Sequence, residues 1–207
     1  MMKNKLNTIL LLSMMLMTVL MPIRADLEVP GETDPLLAEI VFEIAGKTFT
    51  ACKELRENSV YVKILGAAGQ EIVRSESLGE QEKLFVLGEK ALALAALDLN
   101  NDNLPEIIVP AMTGPDRSAL YVFKFDVEGK KLIPFKFTYK NEKLERDFLV
   151  SDFYQQNGQD LVFLEKNRIR VLGKIYQEGA EPVVGFYFFD LATDSFVCNE
   201  ILPVPED

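Results

Sequence analysis

The 207-residue chain contains no histidine and no tryptophan, and only two cysteines. Without histidine there can be no Ser-His-Asp or Cys-His catalysis and no imidazole-bound zinc. Two thiols cannot build a cysteine-rich metal site. The glycine patterns of phosphate loops, dinucleotide folds and nucleophile elbows are also missing. Positive charge is in deficit: 22 Lys and Arg stand against 32 Asp and Glu, for a net charge of −10. Such a surface is repelled by nucleic acid and by anionic membranes, and suits a cation or a basic protein partner.

Long apolar runs are scarce as well. The one at residues 9–20 follows Lys3 and Lys5 and is followed by Ile23-Arg24-Ala25. A positive head, an apolar core and a small residue are the plan of a secretory signal peptide. The core is short of the roughly 20 residues that span a bilayer. Residues 1–25 are therefore expected to be a signal peptide and the protein exported, to a periplasm or to the outside. No membrane span is expected after cleavage. Losing three bases and no acid would leave 182 residues at a net charge of −13. Residues 26–35, with two prolines and four acids, read as a flexible leader. Residues 36–207 are long enough for one good core and are read as one domain.

From residue 36 on, short apolar or alternating runs are broken by Gly, Pro, Asn and Asp, with no long helical period. Strands are expected over 39–44, 48–52, 60–65, 71–74, 91–97, 106–111, 119–125 and 132–138. A second set follows over 148–151, 161–164, 168–174, 183–189 and 196–201. Only 78–88 resists assignment; a short helix and an irregular connection both fit. The fold class expected is all-β.

The most informative stretch is Asp98-Leu99-Asn100-Asn101-Asp102-Asn103-Leu104-Pro105-Glu106, between two apolar strands. Side-chain oxygens fall at loop positions 1, 3, 5 and 9: Asp98, Asn100, Asp102 and Glu106. Leu104, at position 7, can offer its backbone carbonyl. A hard cation such as Ca2+ takes six to eight oxygens at about 2.3–2.6 Å, and a tight loop turns alternate residues inward to supply them. An EF-hand does not fit, because it needs Gly at position 6 and a bidentate Glu at position 12. Here those positions are Asn103 and Val109. The alternative is a polar turn whose acids face water.

A strand–loop–strand with its last acid at position 9 resembles the FG-GAP/VCBS repeat, the calcium-loop unit of integrin-α-like β-propellers. Asn103 stands where that pattern usually has Gly, and Glu106 where it usually has Asp. The resemblance implies a bound Ca2+ held by Asp98, Asn100, Asp102, Leu104 and Glu106. It also implies an incomplete propeller-like arrangement of antiparallel sheets, since a closed propeller needs at least four blades and the chain has room for about three.

Shifting the sequence by 54 residues lays Asp152 on Asp98 and Asp160 on Glu106. Tyr154 and Gln156 replace the middle donors, so this second loop is read as a degenerate copy held by hydrogen bonds. Cys52 and Cys198 lie near the two ends of the domain. In an oxidising compartment a bridge between them would tie the first sheet to the last; two buried free thiols are the other reading. The run Phe186-Tyr187-Phe188-Phe189 should alternate, with one pair in the core and the other able to line a surface.

The function expected is that of a non-catalytic, calcium-binding exported protein presenting a β surface to a protein or cell-envelope partner, its oligomeric state open. Small exported inhibitors of lysozyme are similar in carrying an incomplete propeller and one such loop, which gives a periplasmic inhibitor as the alternative. A carboxylate-dependent enzyme acting on polysaccharide is the second alternative.

Overall fold

The long run Ile107-Ile108-Val109-Pro110-Ala111-Met112 has no polar residue to turn outward, so a strand there must be covered on both faces. This strand lies at the centre of the protein. A computed structural model describes residues 35–139, 145–153, 155–173 and 183–204. The expected signal peptide and all of the leader except Pro35 lie outside these residues. The described residues belong to one compact unit. Among the described residues there are only strands, turns and loops, and no helix long and apolar enough to cross a membrane.

The strands in chain order are β1 (Leu36–Ile44), β2 (Lys47–Arg56), β3 (Ser59–Gly66), β4 (Glu71–Arg74), β5 (Gln81–Glu82) and β6 (Phe85–Leu87). Next come β7 (Lys90–Leu92), β8 (Ala95–Leu97), β9 (Glu106–Gly114), β10 (Arg117–Asp126), β11 (Lys131–Pro134) and β12 (Lys136–Tyr139). The last are β13 (Glu145–Arg146), β14 (Leu149–Ser151), β15 (Leu161–Glu165), β16 (Arg168–Gly173), β17 (Val183–Asp190) and β18 (Ser195–Pro203).

They form three sheets, none closed into a barrel. The first is the meander β1-β2-β3-β4. The second runs β11-β10-β9-β5, with β14 also on β10 and β8 also on β9. The third runs β13-β12-β18-β17-β16-β15-β6-β7. Pairing is antiparallel except at β12–β18 and β15–β6, which are parallel. The first sheet is a four-stranded meander of consecutive strands; the other two gather six and eight strands from distant parts of the chain.

Alternation along β9 and β10 explains why the second sheet is central. Ile107, Val109, Ala111, Phe123 and Phe125 pack with Phe42, Phe49, Val62 and Ile64 of the first sheet. Ile108, Leu120 and Val122 point the other way, into a cluster with Phe137, Phe163, Ile169, Val171, Tyr187 and Phe196 of the third. Period two along one strand thus feeds two cores.

Two expected strands are each split in the structure. The 91–97 run becomes β7 in the third sheet and β8 in the second, and the 132–138 run becomes β11 in the second and β12 in the third. The second break falls at Phe135, whose N–H still bonds the Val122 carbonyl (2.8 Å) while its ring sits in the core. Apolar sequence continues through each break because the chain crosses between sheets without leaving the interior.

The expected tie between Cys52 and Cys198 is not made: both are free, buried thiols. Cys52 sits on β2 of the first sheet, and burial, with Glu39 and Glu54 nearby, pushes its thiol up against the pull of Lys63. Cys198 lies in the core cluster of the third sheet. The last strand is secured instead by backbone ladders, β18 pairing with β17 on one side and β12 on the other. In the 186–189 run, Tyr187 is buried and Phe189 packs against the core. Phe186 and Phe188 share the opposite face, each ring centroid 4.8 Å from the Arg168 guanidinium.

Candidate functional site

The 98–106 loop joins β8 to β9, neighbours in the central sheet paired through Leu97 and Glu106. Two of its apolar residues fasten it to the protein. Leu99 is buried in the core shared with the third sheet, and Leu104 packs against the core shared with the first. Between them the chain turns tightly, with Asn101 at φ 60° and Asn103 at φ 64°. Asparagine is among the few side chains that adopt left-handed backbone readily, and it here takes the role glycine usually has.

The polar side chains turn inward onto the loop's own backbone. Asp98 Oδ1 accepts the Asp102 N–H (3.1 Å) and its Oδ2 the Asn103 N–H (3.2 Å). Asn100 Oδ1 accepts the Asp102 N–H (3.0 Å), and Asp102 Oδ1 the Leu104 N–H (2.8 Å). Asp102 Oδ2 accepts from Asn100 Nδ2 (3.1 Å) and from Lys124 Nζ of β10 (3.2 Å). Burial alone would raise the Asp102 carboxyl, but the Leu104 N–H, Asn100 and Lys124 together hold it below the usual carboxylate range.

Glu106 is different. It is fully buried, and only its Oε2 has a partner, the Leu99 N–H at 2.7 Å. Its Oε1 is buried with no hydrogen-bond partner. Desolvation pushes this carboxyl up to about 7; the Leu99 N–H opposes the rise, and the charges of Asp102 and Asp98 add to it. An ionised carboxylate with one oxygen unsolvated costs several kcal/mol unless a cation or a proton meets it. Among the described residues no three His, Cys, Asp or Glu side chains are gathered into a ready-made metal centre. The structure brings Asp98, Asn100 and Asp102 into one hydrogen-bonded turn and sets Glu106 at its base, on the first residue of β9. All these donors are oxygens, the set a hard cation requires.

The second loop connects β14 of the central sheet to β15 of the third, so it bridges sheets where the first joins neighbours. Its two acids are not brought together. Asp152 lies at the surface in an ion pair with Arg117 (2.6 Å). Asp160 is fully buried and well supplied. Its Oδ1 takes Lys83 Nζ (2.6 Å) and the Gln155 N–H (3.3 Å), and its Oδ2 takes Ser118 Oγ (2.8 Å). Lys83 Nζ also donates to the Gln155 carbonyl (2.7 Å). A lysine ammonium therefore supplies the positive charge within this loop. Tyr154, at its third position, lies outside the described residues. Gly158 closes the turn at φ 80°, where an added Cβ would meet the Leu84 carbonyl at 2.8 Å.

Two lysines escaped the sequence reading. Lys83 lies in the stretch that gave no pattern. Lys53, fully buried, donates to the Lys83 carbonyl (2.9 Å), and desolvation pushes its amine down to about 7. A signal for Lys53 was present: strict alternation along β2 puts it on the face of Phe49 and Ala51.

Comparison with known proteins adds no relative: no family model, no curated protein and no solved structure matches this chain.

Proposed function

We propose that the 98–106 loop binds one Ca2+ ion through Asp98, Asn100, Asp102, the Leu104 carbonyl and Glu106, as in FG-GAP/VCBS repeats. The ion's work is structural. It adds positive charge to three loop carboxylates that share the single ammonium of Lys124, and it fixes the passage from β8 to β9 at the centre of the protein. The reading extends to an exported, non-catalytic protein, an incomplete propeller-like arc of sheets that offers a rigid β surface to a protein or cell-envelope partner. What carries it is the Oε1 of Glu106, buried without a hydrogen-bond partner at the base of the turn that holds Asp98, Asn100 and Asp102, where the Lys124 ammonium paired to Asp102 offsets only part of its charge.

Thermal melting with and without chelator tests the proposal. EDTA should lower the melting temperature of the intact protein and leave Asp98→Ala and Asp102→Ala unchanged. A melt of the intact protein that is the same with EDTA and with millimolar CaCl2 would sink it.

A further inference from the structure

The meander of the first sheet ends at β4 and one side of the central sheet ends at β11, so both are edge strands. Between them lies a cleft of about 590 Å³, within the range of ligand sites in proteins. Its floor is aromatic. Tyr121 and Phe123 stack with centroids 5.9 Å apart, and Phe148 tilts against Tyr121 at 5.2 Å. The Tyr121 hydroxyl donates to the Leu78 carbonyl (2.8 Å) and so ties the floor to the wall on the β4 side.

The other wall presents main chain. Phe135 N–H bonds Val122, and Phe123 lies opposite Pro134. In an antiparallel ladder alternate residues turn their backbone groups toward the partner. Lys131, Ile133 and Phe135 thus face β10, and Leu132 turns its N–H and C=O away from it, as does the Pro134 carbonyl. An edge of this kind is a template for another strand.

Charge narrows the choice of strand. Lys130 and Lys131 line this wall, are exposed, and make no ion pair among the described residues. The other charges of the cleft are largely committed: Arg74 to Glu54 and Glu71, and Asp147 to Lys136. Glu76 remains at the β4 wall. We infer that the cleft binds an extended acidic peptide segment of a partner protein. The segment adds as a strand to β11, sets an apolar side chain on the Tyr121–Phe148 floor, and meets Lys130 and Lys131 with a carboxylate. None of these residues belongs to the 98–106 loop, so the inference stands independently of the calcium reading.

A labelled hexapeptide alternating valine with glutamate, followed by fluorescence anisotropy, is the test. It should bind, and lysine in place of glutamate should weaken it by about tenfold or more. Lys130→Glu combined with Lys131→Glu should cause a similar loss. Leu132→Pro, which removes the outward N–H without touching the β10 ladder, should weaken binding too. N-methylating alternate peptide nitrogens makes the same cut on the unaltered protein, in case that variant does not fold. Absence of binding at millimolar peptide overturns the inference, as does binding indifferent to N-methylation or to reversal of the lysines. A glucuronate oligosaccharide that binds where the peptide does not would overturn it as well.

Discussion

Replacing Glu106 with glutamine separates the two costs that meet at this residue. The folded carboxyl is held at about 7 against an ordinary 4.5. Its folded pKa is raised, so the native state binds the proton more tightly than the unfolded chain does. Stability of the metal-free protein should then fall as pH rises from 4.5 through about 7. The gap amounts to roughly 3 kcal/mol when the group is fully ionised. The glutamine amide keeps an oxygen for the Leu99 N–H and carries no charge to desolvate. In EDTA near pH 7.5, Glu106→Gln should therefore be more stable than the parent by up to about 3 kcal/mol. For a domain of this size that is about 6–12 °C in Tm. Near pH 4 the advantage should vanish. In CaCl2 the order should reverse, because the parent gains an ion and the variant lacks its buried anionic ligand. Melts by circular dichroism at both pH values, with EDTA or CaCl2, read all four conditions. A parent whose metal-free stability does not decline over this pH range, relative to the variant, would refute the burial argument. Equal stabilisation of both proteins by CaCl2 would refute the role of Glu106 as a ligand.

Lys53 should act with the opposite slope. Its amine is pushed from 10.5 down to about 7, so stability is lost as pH falls from above 10 to about 7; Lys53→Met should gain a few kcal/mol below pH 7 and little near pH 10.5, measured by urea denaturation. Asp160→Ala leaves the buried Lys83 ammonium without its carboxylate and should cost about 3–5 kcal/mol; a loss below about 1 kcal/mol by the same method would show that water or a rearranged partner replaces it. Cys52 and Cys198 should react with Ellman's reagent only after unfolding, and the intact mass under non-reducing conditions should show both thiols free. Two fast-reacting thiols, or a mass lower by two hydrogens, would contradict their placement in separate buried environments.

Most strands outside residues 78–88 were readable because each turns on local physics: β-branched and aromatic runs between turn residues; the two-residue β13, Glu145–Arg146, has no such run and was not expected. The candidate loop was readable for the same reason, since its spacing, its left-handed asparagines and its flanking strands all lie within a dozen residues. Residues 78–88 were not readable, because β5 and β6 are two and three residues long; β5 is held by the distant β9, and β6, beyond its short hairpin with β7, by the parallel pair with β15.

The sequence by itself determined an all-β chain, one loop rich in oxygen donors, and the absence of histidine chemistry, for these follow from residue types and near-neighbour spacing. Tertiary structure alone decided where that loop sits, at the end of a sheet covered on both faces, and hence that Glu106 is dry. It also decided that Lys83 comes to Asp160 from 77 residues away and that the two cysteines stay apart. Burial and long-range pairing depend on which sheets stack, and period-two alternation marks the two faces of a strand without naming what covers each.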